Sequence, residues 1–355
     1  MKFYYFVFVF CSFFTRLSFS QNSVYLLNRA ENSIRRDEYS KALQFYNQYT
    51  SQKKILEIDD LFNKFYCEAL SKKNKAAYKS LVELQAKGLC MNYFLTESKL
   101  QNFITALSKK QVQKLKNERK SNNDSKQIVI KNLDSLLNVD QDLRRHNELS
   151  DFQKINYNNL YKFIEIMEEI SIPFEHFFDQ QDCNDPYINI EYVPYETLFT
   201  HFIKLRDSIS KTKILALIST KKLNQIGATF CYDLLFKMYG DSTFFVCAEP
   251  ILVVNEVDYF NPGVFDFFEK IEANRNRLGI KSLRNEYMNI FWKQKLNKKG
   301  EKTLFRLSPV QRSVEYDFSR FGFDKFKEKN KLIELTEDNW IKYFEPNIRS
   351  LKKRR

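Results

Sequence analysis

The chain has 355 residues, with 57 lysines and arginines against 44 aspartates and glutamates, a formal charge of +13 at pH 7, and only seven glycines and seven prolines. So few turn-forming residues exclude a many-turned β fold and favour long helices, while the length asks for two or more domains of about 100–200 residues each. The basic residues are interleaved with acids along the whole chain and cluster only at 351–355, so no nucleic-acid partner is expected.

At the start, Lys2 precedes the apolar run FYYFVFVFCSFF (3–14), and RLSFS then leads into Gln21. A positive start, a short apolar core and small residues at Ser18 and Ser20 have the layout of a secretory signal peptide over residues 1–20. A membrane anchor is the rival reading, but the run is shorter than the roughly 20 residues needed to span a bilayer and Arg16 interrupts it. The expectation is an exported protein, periplasmic or secreted, with no stable membrane span after cleavage. Losing Lys2 and Arg16 lowers the charge from +13 to +11. Five cysteines would remain, Cys67, Cys90, Cys183, Cys231 and Cys247. Their odd number rules out complete internal pairing, and their spacing matches no metal or redox motif, so most read as small buried hydrophobes.

Residues 24–49 place Leu27, Ala30 and Ile34 on one helix face, turn near Asp37, and resume with Tyr39, Ala42, Leu43 and Tyr46 at helical spacing. Residues 59–88 repeat the plan, with a polar turn at 72–75 and Gly88 as a helix stop. The Ala30, Tyr39, Ala42, Tyr46 pattern resembles a tetratricopeptide repeat, in which small residues let paired helices approach closely. An ordinary helical-hairpin domain fits the same residues, since Tyr49 stands where a small residue is usual. This first domain is expected over 21–115. The polar, aperiodic stretch KNERKSNNDSKQ marks a linker at 116–127, and a second helical domain should follow over 128–295.

The second domain opens on a predicted helix, 128–149, with Leu133, Leu136, Leu137 and Leu143 forming its apolar stripe. At about 100° per residue, Asp140 and Arg144 fall within about 20° of Leu133, inside that stripe, while Asp142 and His146 fall on the far side. Asp140 and Arg144 are therefore either an internal ion pair that fixes helix packing or part of an active site, with Gln141 at the edge. Further helices are expected over 158–173, over 195–209 with His201 bordering the apolar face, over 223–240 ending at Gly240, and over 265–280 ending at Gly279. Between the last two, the β-branched and aromatic run 243–260 predicts one or two short strands. Residues 296–355 form a basic C-terminal extension without an assigned role.

The order DQDLRR (140–145), NNLYKFIEIMEEISIP (158–173), a helix with a single histidine, then RNRLGIKSLRNEY (275–287) resembles an uncharacterised domain family of exported bacterial proteins that often follows tetratricopeptide-like helices. The resemblance covers about 130–295 and rests on Asp140, Gln141, Arg144, His201, Arg275, Leu278, Gly279 and Ile280. It implies no reaction, and marks Gln141 and Arg275 as candidate ligand-binding positions. No GxSxG, HExxH, GxxxxGK[ST] or GxGxxG motif occurs, so neither a metal nor a cofactor is expected. His176, Asp179, Asp182 and Cys183 could be drawn as a metal cluster, yet their irregular spacing reads better as a solvated loop. The aromatic and basic stretch 318–330 could be drawn as a stacking platform for nucleic acid, but without any recognisable binding fold it reads as an aromatic-rich helix or turn.

The expectation is thus a mainly α protein, with tetratricopeptide-like hairpins followed by a helical domain carrying one or two short strands. Its function would be protein contact, as an interaction or scaffold module of the cell envelope with a protein partner. The alternative is a hydrolase-like enzyme, with Asp140, Arg144 and His201 converging in one cleft: Arg144 would bind an anionic group, Asp140 would orient it or act as base, and His201 would transfer protons.

Overall fold

The computed structural model describes residues 24–52, 56–86, 98–117, 123–146, 151–169, 198, 201–202, 205, 207–219, 225–244, 246, 251–254, 257–260, 267–301, 305, 313–315, 323–329, 331–339 and 342. The expected signal peptide, Gly88, the His176 to Cys183 stretch and Cys90, Cys183 and Cys247 lie outside these. Among the described residues, those of 32–244 and 304–306 form one compact unit, and those of 1–31, 245–303 and 307–355 form a second. The linker expected at 116–127 therefore falls inside the first unit, and the domain expected over 128–295 is divided near residue 245.

The protein is mainly helical. Helix α1 covers 24–34 and is followed by α2 (Tyr39–Ser51), α3 (Ile58–Leu70) and α4 (Asn74–Ala86). The turns fall where the polar residues predicted them, and Asp37 and Lys72 take positive φ angles of 59° and 58° to reverse the chain. Helix α3 packs against both α2 and α4. Ala42 and Ala77 have no exposed surface, so backbones approach closely there, while Phe62, Phe65 and Tyr66 fill the interior. Phe65 meets Phe103 edge-on at 5.6 Å, and Tyr39 stacks on Phe305 at 5.6 Å.

A short 3-10 turn, α5 (Gln101–Thr105) and α6 (Lys109–Asn117) lead to α7 (Asn123–His146) and α8 (Phe152–Glu169), which pack on each other. Residues 123–127, expected in the linker, thus belong to α7: Asn, Asp and Ser are common at helix starts, and a polar first turn does not prevent a helix. The helix expected over 158–173 begins earlier, at Phe152. Helices α9 (Ser208–Ser219) and α10 (Gln225–Tyr239) complete the first unit.

The single helix expected over 195–209 is interrupted. Asp207 accepts from the Ser210 backbone N–H at 2.8 Å and from Ser210 Oγ at 2.6 Å, which caps a new helix. Leu205 remains buried, whereas Ile209, placed on the apolar face by periodicity, is exposed in the first turn of α9.

In the second unit, β1 (Ile251–Val254) and β2 (Val257–Phe260) form an antiparallel hairpin inside the run predicted to be extended. Among the described residues the sheet has four strands, more than expected. β3 (Ser313–Glu315) lies parallel to β1 and β4 (Ile333–Glu334) antiparallel to β2, in the order β3-β1-β2-β4. Segments of three and two residues are too short for a period-2 pattern, so the C-terminal extension gave no strand signal. Helices α11 (Phe268–Leu278), α12 (Leu283–Lys298) and α13 (Phe323–Lys329) accompany the sheet. Phe260, Ile271, Leu283, Tyr287, Phe291 and Leu335 form its core.

Gly279 ends α11 as expected, with φ of 75°, and the Ile280 N–H reaches back to the Arg275 carbonyl at 2.9 Å. Because a Cβ is disfavoured in that conformation, Gly279→Ala is expected to destabilise the protein by about 1 kcal/mol in urea unfolding.

Candidate functional site

The candidate residues meet in the first unit. On α7 the buried stripe runs through Leu133, Leu136, Asp140 and the half-buried Arg144. Leu143, expected in the stripe, is 37% exposed, because the contact with α8 is centred on the 140/144 row and leaves Leu143 to one side. Asp142 and His146 are exposed, as the helical geometry predicts, and bond only to each other's residues on their own turn.

Asp140 has no exposed surface. Arg144 Nε donates to its Oδ2 at 3.0 Å and Arg144 Nη2 to its Oδ1 at 3.1 Å, a forked pair across one helical turn. Asn159 Nδ2 donates to Oδ1 at 2.6 Å, and Gln141 Nε2 to Oδ2 at 3.3 Å. His201 Nδ1 stands 2.7 Å from Oδ2. The ring nitrogen is not aligned for a straight hydrogen bond, so this contact is chiefly one of proximity. Arg144 also donates to Asn156 Oδ1 and lies over the Phe152 ring, 5.1 Å from its centre. Burial pushes the Asp140 carboxyl up, but the close His201 ring and the Arg144 guanidinium outweigh it and hold it at about 2.

Three of the sequence candidates, Asp140, Arg144 and His201, are therefore brought together, and Gln141 joins them as a hydrogen-bond donor to Asp140. Arg275 does not belong to this group. It is buried in the second unit, with partners Val246, Lys281 and Glu286. Two members, Asn156 and Asn159, were missed from the sequence. The signal was present, since both fall on the face of α8 that carries Leu160 and Phe163, where an amide must find a partner.

Chemically, the arrangement holds one carboxylate under an unusually complete set of donors. Arg144 commits Nε and Nη2 to Asp140 and Asn156, so an anionic ligand that used this edge of the guanidinium would have to displace them. A carboxyl held at about 2 is a weak base near neutral pH. His201, 20% exposed on its side chain, is more accessible than Asp140 or Arg144. Elsewhere, Cys67 and Cys231 are buried free thiols, and burial pushes both up, Cys231 to about 12, so neither is poised as a nucleophile. Among the described residues no group of three or more His, Cys, Asp or Glu side chains could hold a metal, and no helix is long and apolar enough to cross a membrane.

No family model, curated protein or solved structure matches this chain.

Proposed function

We propose that the protein is an exported module of the cell envelope that works by protein contact, with tetratricopeptide-like helical pairs as its contact surface. The observation that carries this reading is the closure of the Asp140 cluster. Its carboxylate is fully buried and receives Arg144, Asn159, Gln141 and His201, which suits a fastening between α7, α8 and the helical residues at 201–202. A substrate would have to displace these partners. The close packing at Ala42 and Ala77 supports a rigid set of paired helices, which keeps the exposed side chains of α2 and α4 in fixed register.

The test is photo-cross-linking in producing cells, with the reactive group at exposed positions of α2 such as Gln48 and a control at Lys298. Discrete adducts from α2 and none from the control are expected. Equal, diffuse labelling from both would overturn the reading.

A second reading, proton transfer at His201, is favoured by its 2.7 Å approach to a buried carboxylate, the arrangement that orients a catalytic imidazole. His201→Gln separates the two. Under the contact reading the adducts persist and any phenotype follows stability. A folded His201→Gln protein that keeps its adducts yet loses its cellular role would favour proton transfer.

A further inference from the structure

The second unit encloses a set of ionisable side chains that the Asp140 cluster does not involve. Glu31, on α1, has no exposed surface. Lys281 Nζ approaches its Oε1 at 2.8 Å, and the amides of Asn285 and Asn289, one turn apart on α12, both donate to Oε2, the latter at 2.8 Å. The Ser282 N–H donates to Asn28 Oδ1 at 3.3 Å. Segment 24–31 is thereby fastened to the start of α12.

Glu286 lies on the same helix, also buried. Its Oε1 is 3.0 Å from Arg275 Nη1, but that nitrogen donates to the Lys281 carbonyl at 3.1 Å and Arg275 Nε to the Val246 carbonyl at 2.6 Å. Neither Glu286 oxygen receives an aligned hydrogen bond from the described residues. The charged groups that face it are Arg275 and Glu272 from α11 and Glu31 from α1, the last paired with Lys281. With Glu286 itself, that makes three carboxylates against two cations. Glu31 is fully partnered. Glu272 is partly exposed and accepts from Ser282 Oγ at 3.0 Å and from the Arg284 N–H at 2.8 Å. The carboxyl left to take up a proton is Glu286.

We propose that Glu286 is a proton-gated clasp: when protonated it balances the enclosed charges and lets segment 24–31 stay fastened to α12, and when ionised it adds a buried carboxylate that Arg275 offsets only in part, which loosens the fastening. The electrostatics agree. Burial pushes the Glu286 carboxyl up, Arg275 offsets part of that, and Glu31 and Glu272 add to the push, which leaves it at about 7. A carboxyl raised in the folded state stabilises fully below its ordinary value of 4.5, and that contribution is lost as pH rises through about 7. With one proton involved, the opening equilibrium should rise by up to about tenfold per pH unit across this window.

Amide hydrogen exchange of the full chain, corrected for the intrinsic pH dependence of exchange, tests it. Protection within 24–34 is expected to fall by up to about 100-fold between pH 5 and pH 7, at about tenfold per unit. Glu286→Gln, neutral at every pH, should keep its acid-level protection at pH 8. Glu272→Gln removes a neighbouring negative charge and should end the fall at a lower pH. A wild-type profile independent of pH, or a Glu286→Gln profile that still falls, overturns the proposal. Should Glu286→Gln fail to fold, an unmoved profile in Glu272→Gln overturns it instead.

Discussion

Replacing Asp140 with alanine is expected to cost about 3–5 kcal/mol of stability, the scale for stripping one partner from a buried ion pair. The loss is large because three groups are abandoned together. Asn159 keeps its donor in a place water does not reach, Arg144 keeps its fork half-buried, and His201 loses its neighbouring charge. Asp140→Leu combined with Arg144→Met should recover most of the loss, because it removes both charges instead of stranding one. Urea unfolding of the two single variants and the double variant measures the coupling; additive losses would mean that the pair is not the unit. The same carboxylate gives an acid signature. Its folded value of about 2 is below the ordinary 3.8, so its contribution is complete above 3.8 and is lost as pH falls toward 2. That is worth about 2 kcal/mol, and Asp140→Asn should lack this limb.

Arg275→Ala is the second large effect expected, again about 3–5 kcal/mol. Arg275 leads the largest fully buried side chains, so its removal leaves a cavity, two carbonyls without their donors and Glu286 without its counter-ion. Glu286 can relieve its share by holding a proton, and the penalty should therefore be smaller at pH 5 than at pH 8. Equal losses at the two pH values, or a loss under about 1 kcal/mol, would show that the guanidinium does not compensate Glu286. Arg275→Lys should rescue only in part, because an ammonium cannot reproduce the forked donation to Val246 and Lys281.

How far these sites were legible in the sequence depended on whether the signal was local. The Asp140 to Arg144 pair announced itself, because two charges inside the Leu133 and Leu136 stripe conflict with burial unless they are paired. Its location on one helix made that conflict computable from spacing alone. His201 was legible as a residue bordering an apolar face, but its distance from Asp140 is a tertiary fact that no periodicity encodes. Asn156 and Asn159 could have been found by the same wheel that placed Asp140, had amides been treated as polar intruders on α8. The break at Asp207 was missed for a different reason. Leu198, Phe202, Leu205 and Ile209 keep helical spacing across it, while the cap that starts α9 competes with helix continuation. Gly240 and Gly279 ended their helices as read, since a left-handed cap is a local requirement that glycine meets alone. The Glu286 cluster was invisible, because Glu31 and Lys281 are 250 positions apart.

That separation has a bearing on how the chain acquires its structure. Segment 24–31 emerges early in synthesis, yet its carboxylate partners Lys281, Asn285 and Asn289 come much later, and β3 and β4 close the sheet later still. The second unit therefore joins its local β1–β2 hairpin to contacts across long stretches of chain, whose closure entropy must be met before they stabilise the fold. The helical hairpins α2–α3 and α3–α4, made of neighbours in sequence, carry no such delay. Folding should thus proceed in two kinetic phases, with α1 waiting, its buried glutamate still hydrated, until α12 arrives to receive it.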